Sequence, residues 1–169
     1  MAVVQYWSMH PLGPWAEHLR YHDVRDPVEA RELYARPRVS RLDLPVDILH
    51  VDFDTAAAHG ISADDLVDDD WAACQDWAAT LTVPGILVPS AALPGTESLV
   101  LFGPMARVPY GAEPIGPIDL PCDATADMGA VTPDLLRLVR WRGSTHLGLK
   151  AWRAGGPPVP TPAVSYPAP

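Results

Sequence analysis

The sequence predicts a mixed α/β fold in which a small sheet is flanked by helices. Three observations support this class. A run of β-branched and aromatic residues at 2–7 predicts a strand that leads through a Pro/Gly turn into a helix. Two short, continuously apolar runs, 85–88 and 98–102, predict strands that are covered on both faces. Segments with helical spacing, at 13–22 and after Asp70, separate these strands along the chain.

The composition indicates one soluble domain. A chain of 169 residues is long enough to bury a substantial core. Its 12 Lys and Arg residues against 21 Asp and Glu residues give a net charge of −9, which disfavours direct binding to nucleic acid. No run approaches the roughly 18 apolar residues of a membrane span, and the N-terminus lacks the basic region of a signal peptide.

The two cysteines, Cys74 and Cys122, lack the spacing of metal ligands. They are typical of reduced thiols in a cytoplasmic protein, although a single disulfide stays open. We therefore expect a cytoplasmic chain without a metal site.

The first helix is predicted at 13–22. Pro14 fits the first helical position, where its missing N–H costs nothing, and Glu17 falls in the opening turns, where the helix dipole favours an anion. A short helix is predicted at 27–35. Alternating apolar residues at 44–53 predict a strand with one apolar face, formed by Leu49, Val51 and Phe53.

Two acidic helices are predicted in the middle of the chain. Ser62 caps a short one, and Asp70 caps a clearer one with a buried stripe at Trp71, Cys74, Ala78 and Leu81. The acidic cluster here lacks the glycine and the final glutamate of a calcium loop. We interpret it as a capping and solubilising surface, composed of Asp64, Asp65, Asp68, Asp69 and Asp70.

Three further elements are predicted in the C-terminal half. Residues 106–110 predict a strand, and Thr132 with Pro133 begins a helix that extends to about Trp141. Residues 148–152 predict an edge strand.

The domain organisation follows from composition. Residues 1–111 are predicted to form the main domain, and residues 112–154 an extension packed on it. The proline-rich residues 155–169 cannot build a core, so we expect a disordered tail.

Three side chains are candidates for a functional site. Glu17, on a helix that follows a strand and a tight turn, can project into a cleft at the edge of the sheet; the alternative is that it only complements the helix dipole. Ser90 follows Pro89 at the end of a buried strand, without a GxSxG motif, and the alternative is an ordinary turn serine. Tyr6 and Trp7 alternate across the first strand, so one faces the core and the other is available to a ligand.

Metal and phosphate motifs are absent from the sequence. His18 and His22 lie four residues apart on one helix face, but no third ligand accompanies them, which favours a solvated face. Without a glycine-rich loop, the phosphates of a nucleotide would be held by arginine side chains or helix N-termini.

Two segments together resemble the RES-domain toxins of bacterial toxin–antitoxin modules. The first is VVQYWSMHPLGPWAEHLR, which is similar to that family's strand, turn and glutamate-bearing helix. The second is WAACQDWAATLTVPGILVPSAALPGTESLVLFGP, which is similar to the family's helix, its strand ending in Pro-Ser, and a final apolar strand. The resemblance covers roughly residues 2 to 110.

The resemblance implies a fold similar to that of the ADP-ribosyltransferases. It implies an activity that depletes NAD by cleaving the nicotinamide–ribose bond, as a glycohydrolase or a phosphorylase, with NAD as substrate and no cofactor. The family's catalytic residues correspond to Glu17 and Ser90, and its substrate-binding tyrosine to Tyr6. The implied partners are a DNA-binding antitoxin protein and a second copy of the chain.

One family feature has no counterpart in the sequence. In the family, an arginine in a Gly-Arg-Trp-type segment precedes the tyrosine strand, whereas the residues before Tyr6 include no arginine. Arg20, Arg25 or the residues from 112 onward are expected to replace it in an active enzyme. The alternative is a catalytically inactive RES-like module that binds a protein or a nucleotide.

Overall fold

The strands form one mixed sheet and one small ribbon. The computed structural model describes residues 4–32, 40–41, 47–102, 113–114 and 133–163. The four-stranded sheet has the order β1-β5-β4-β3, built from Val4–Ser8 (β1), Leu49–His50 (β3), Gly85–Pro89 (β4) and Glu97–Phe102 (β5). Strand β5 runs antiparallel to β1 and β4, whereas β3 and β4 are parallel. A two-stranded ribbon pairs Ser40–Arg41 (β2) with Glu113–Pro114 (β6).

Helices flank the sheet, which confirms the predicted mixed α/β class. They are Gly13–His22 (α1), Pro27–Glu32 (α2), Ala72–Thr80 (α3), Pro133–Leu138 (α4) and Leu147–Arg153 (α5), with a 3-10 turn at Ala56–His59. Among the described residues, none of the helices has the length and apolar character that crossing a membrane requires.

One core lies between the sheet and α3. Because side chains alternate along a strand, the register Tyr6↔Val100↔Ile86 places these three residues on the same face. Val100 and Ile86 are buried there against Trp77, whose indole N–H donates to the carbonyl of His59 at 2.8 Å. The helix is thereby fixed against the face that β4 and β5 present.

A second core holds α1. Its buried members on the helix include Trp15, Ala16 and Leu19, which pack with Leu93 of the loop after β4 and Leu136 of α4. Complete burial of an aliphatic side chain such as Leu19 contributes about 1.5–3 kcal/mol. The loop after β4 and helix α1 are therefore one packed unit.

The structure corrects the predicted C-terminal edge strand. Residues 148–152 lie in helix α5, because His146 caps it by accepting the N–H of Leu149 at its ring Nδ1 (3.1 Å). The helix at Pro133 is confirmed but ends at Leu138, short of Trp141.

The acidic segment also differs from its prediction. Ser62 accepts the N–H of Asp65 at 3.1 Å, as a cap does, but residues 63–66 form only a turn. In α3 the predicted stripe is wrong at its first position: Trp71 is exposed, and Trp77 is the tryptophan that enters the core. Asp70 does support the helix start by accepting the N–H of Ala72.

The remaining strand predictions have mixed outcomes. Within the described part of 44–53 only Leu49–His50 is a strand, although Leu49, Val51 and Phe53 all pack on the same core as predicted. The strand predicted at 106–110 and the residue Cys122 lie outside the described residues, and Cys74 is a free thiol.

The segment 155–163 packs along the loop that joins β4 to β5. Thr161 donates to the carbonyl of Gly95 at 2.9 Å, and His10 donates from Nε2 to the carbonyl of Pro162 at 2.9 Å. Gly95 has φ +88°, and a β-carbon there would lie 2.6 Å from the carbonyl oxygen of Pro160. The predicted division of the chain at 111 and 154 stays a prediction.

Candidate functional site

A rigid corner between β1 and α1 positions Glu17. The Ser8 hydroxyl donates to the carbonyl of His10 and accepts the N–H of the same residue, while His10 Nδ1 accepts the N–H of Leu12. Gly13 then starts the helix against Ser8, where a β-carbon would lie 1.7 Å from the serine Oγ. Only glycine permits this approach, and the helix begins at once. Glu17 consequently has a fixed orientation relative to the end of β1.

The carboxyl group of Glu17 is partly enclosed by protein. Its side chain keeps 46% exposure and lies 4.0 Å from the Arg20 guanidinium. Burial raises the pKa of Glu17 above its ordinary value, and the charge of Arg20 and a hydrogen bond from the backbone N–H of Ala92 act in the opposite direction. A substrate can therefore reach a carboxylate that the protein already orients.

Tyr6 lies on the edge strand β1, near Glu17. Its side chain is 66% exposed. Partial burial raises the pKa of Tyr6, and the proximity of Cys74 and of Glu17 raises it further. Helix α3 supplies Cys74, whose own pKa burial also raises. The structure thus brings together Tyr6, Glu17 and Cys74, the last of which the sequence did not indicate.

Ser90 has a different setting. It is 1% exposed, and its Oγ accepts the N–H of Leu93 at 3.2 Å. Its N–H donates to the carbonyl of Thr96, and its own carbonyl accepts from Nε2 of His146 at 3.0 Å. Ser90 therefore fixes the loop that presents the Ala92 N–H to Glu17. Its catalytic role stays a prediction.

Asp69 joins two arginines beneath Glu17. Its Oδ1 lies 2.6 Å from Arg20 Nη2 and 3.0 Å from Arg140 Nη1, and its Oδ2 accepts the N–H of Gly143 at 2.5 Å. Burial opposes ionisation of Asp69, but the Gly143 N–H and the two guanidinium groups outweigh it and lower the pKa. Asp69 therefore does more than solubilise the surface, contrary to the sequence interpretation.

The two arginines proposed as replacements for the family arginine are already paired. Arg20 is buried against Asp69, with its Nε lacking a hydrogen-bond partner among the described residues. Arg25 pairs with Asp23 at 2.7 Å and lies over the ring of Trp141. Arg20 is thus buried in its pair with Asp69, whereas the pair of Arg25 with Asp23 is exposed on the surface.

The two histidines of α1 contact each other. The rings of His18 and His22 are 4.5 Å apart, edge to face. Burial lowers the pKa of His18, as does the proximity of His22. In the described residues, no cluster of three potential ligands could hold a metal ion.

A cleft of about 730 Å³ lies where β4 ends at Pro89 and β5 begins at Glu97, beside residues 155–161. The carboxylates that line the cleft have partners. Asp52 accepts the N–H of Thr55, Asp54 accepts the indole N–H of Trp152, and Glu97 Oε1 lies 2.6 Å from Nε2 of His50. Tyr6, Glu17 and Ser90 do not line it. Ser90 nevertheless adjoins the cleft, because Pro89 and His146, whose ring donates to the Ser90 carbonyl, both line it.

Comparisons with known proteins identify the family of the chain. The model of the RES domain matches residues 4–123. A relative from Mycobacterium tuberculosis, named "Probable NAD(+) phosphorylase", is 35% identical over 102 residues, which are 59% of this chain and 48% of the relative. The chain thus spans about half the length of this curated relative. No solved structure matches the chain.

Proposed function

The chain belongs to the RES-domain family, and from this membership we propose that it degrades NAD by cleaving the nicotinamide–ribose bond. The name of the relative, an NAD(+) phosphorylase, supports phosphate as the acceptor in place of water. In the reaction the bond between the ribose C1 and the nicotinamide nitrogen breaks, and an oxygen of the acceptor bonds to the same carbon. Nicotinamide leaves as a neutral ring. NAD is the substrate, and no cofactor is required.

The observation that carries the proposal is the setting of Glu17. Departure of nicotinamide develops positive charge on the ribose, and a fixed carboxylate in a partly dry site stabilises that charge without reorganising. Glu17 is oriented by Arg20 and by the Ala92 N–H, and it remains accessible. Removal of a preorganised electrostatic group of this kind typically costs about 10²–10³ in rate.

Tyr6 is proposed to bind the nicotinamide end of the substrate. Its raised pKa keeps the hydroxyl protonated at neutral pH, so it can donate a hydrogen bond, and the exposed ring can stack on a planar group. Ser90 is proposed to act on the same ribose through the loop that it holds beside Glu17.

The test measures NAD and its products with purified chain, with and without phosphate. Wild type is expected to consume NAD faster with phosphate and to release one nicotinamide for each NAD lost. Glu17→Gln keeps the size of the side chain, and it is expected to lower the rate by about 10²-fold or more. A folded wild type that binds NAD without consuming it would instead support the alternative, an inactive binding module.

In the cell, the proposal extends to a toxin that depletes cytoplasmic NAD and is neutralised by a DNA-binding antitoxin protein. Expression of wild type is expected to slow growth, and Glu17→Gln to relieve the effect. Equal toxicity of both forms at equal protein levels would contradict NAD depletion as the cause.

A further inference from the structure

Arg142 lies between two exposed aromatic rings. Its guanidinium carbon is 6.0 Å from the centre of the Tyr21 ring and 5.6 Å from the centre of the Trp71 ring. The negative face of an aromatic ring attracts a guanidinium at this range, and the planar group is well suited to such contacts. Both rings are exposed, at 65% for Tyr21 and 49% for Trp71. The three side chains form a cluster, here called the arginine clamp.

Arg142 differs from the other arginines whose contacts are described. Each of those contacts an aspartate; they are Arg20, Arg25, Arg137, Arg140 and Arg153. Among the residues that the structure describes, Arg142 has neither an ion pair nor a side-chain hydrogen bond. A guanidinium carries five N–H donors, and no residue in the described ranges occupies those of Arg142, so they can bind an anion.

The arginine clamp shares helix α1 with Glu17. Tyr21 follows Glu17 by four residues on α1, so the two side chains are neighbours on one helix face. Asp69 connects α1, through Arg20, with the backbone N–H of Gly143, the residue after Arg142. The clamp is therefore anchored to the same network that lies beneath Glu17.

Trp71 links the clamp to helix α3, which carries Cys74. It lies directly before α3 and three residues before Cys74, which lies near Tyr6. Residues three apart at the start of a helix lie on neighbouring positions of one face. Glu17 and Tyr6 at one end, and the clamp at the other, thus border one region of the surface.

From this arrangement we infer that Arg142, held by Tyr21 and Trp71, binds the diphosphate of the nucleotide whose ribose lies at Glu17. The inference rests on the proposed function. A diphosphate presents paired anionic oxygens, which a planar guanidinium binds in a bidentate manner. Because the chain carries a net charge of −9, a nucleotide requires a local cation to approach. Four residues of α1, a rise of about 6 Å, separate Tyr21 from Glu17.

Binding of ADP-ribose tests the inference without requiring catalysis. Affinity is measured by titration calorimetry for ADP-ribose and for adenosine, which lacks phosphates, with wild type and Arg142→Ala. Loss of charge-assisted hydrogen bonds is expected to weaken ADP-ribose binding about 10- to 100-fold in Arg142→Ala. Adenosine binding is expected to stay unchanged. Arg142→Lys should be intermediate, because lysine keeps the charge but loses the planar fork.

Arg137→Ala is the matched control. Arg137 is an exposed arginine that pairs with Asp134 on its own helix, so the variant removes one positive charge at another place. Its affinity for ADP-ribose is expected to equal that of wild type. An equal loss of ADP-ribose affinity in both variants would show that only net charge matters, and it would overturn the inference. Undetectable binding of ADP-ribose by folded wild type would overturn it as well.

Turnover separates this inference from the proposed function. If wild type consumes NAD and Arg142→Ala has an unchanged KM, the clamp is refuted and the proposed function stands. If Arg142→Ala loses ADP-ribose affinity while wild type leaves NAD intact, the clamp stands and the proposed function is refuted. Melting temperatures of the variants, expected to match that of wild type because Arg142 is exposed, exclude unfolding as the cause.

Discussion

Replacement of Asp69 by alanine is expected to destabilise the fold by about 2–4 kcal/mol. The carboxylate bridges Arg20 and Arg140, whose side chains are only 7% and 9% exposed. Removal of one partner from a buried ion pair typically costs about 3–5 kcal/mol, because a buried charge is left without a partner. Asp69 is itself 28% exposed, so solvent screens part of the interaction. We therefore expect a loss of about 2–4 kcal/mol, somewhat below that of a fully buried pair.

The assay is urea unfolding followed by tryptophan fluorescence. With a slope of about 2 kcal/mol per molar urea, in the middle of the usual range, the expected loss moves the midpoint by about 1–2 M. Asp134→Ala is the control, since its pair with Arg137 is exposed on both sides and should contribute less than about 1 kcal/mol. A midpoint for Asp69→Ala no lower than that of Asp134→Ala would refute the reasoning.

Three further predictions concern backbone strain and pH. Gly95→Ala should expose residues 156–163 to proteolysis, because the new β-carbon would meet the carbonyl of Pro160. Gly60→Ala is the control, since Gly60 has a similar φ but no neighbour within 4 Å of its β-carbon position. This control should lose stability without exposing residues 156–163. Burial lowers the pKa of His146, so its stabilising contribution is complete above the ordinary pKa of 6.5 and is lost as pH falls through it. His146→Asn should therefore flatten the fall in melting temperature between pH 7 and 5, and an unchanged fall would contradict this. Burial raises the pKa of Glu17, so ionisation costs stability as pH rises through 4.5, and Glu17→Gln should melt higher than wild type at pH 7 but not at pH 4. An equal difference in melting temperature between Glu17→Gln and wild type at both pH values would count against a raised pKa of Glu17.

The sequence predicted the part of the site that local patterns determine. The strand, the Pro/Gly corner and helix α1 depend on neighbouring residues, so the placement of Tyr6 and Glu17 could be predicted. The apolar strands β4 and β5 were predicted for the same reason, since each is a short continuous run.

The rest depends on contacts between distant residues. Asp69 binds Arg20 and Arg140, which are 49 and 71 positions away in the chain, so its position in an acidic run gave no sign of its role. Helix α5 was missed because its short sequence has no helical period, and its cap, His146, is not a usual capping residue. The choice between Trp71 and Trp77 likewise depends on which one reaches the carbonyl of His59.

The central claim is that Glu17 stabilises the ribose as nicotinamide leaves. The most direct measurement is the rate of nicotinamide release from NAD, in the presence of phosphate, by wild type, Glu17→Gln and Glu29→Gln. Glu29 is an exposed glutamate on α2, so its variant controls for the loss of one carboxylate. The account predicts equal rates for wild type and Glu29→Gln. For Glu17→Gln it predicts a rate that is lower by about 10²-fold or more. Release by folded Glu17→Gln at the wild-type rate would contradict it.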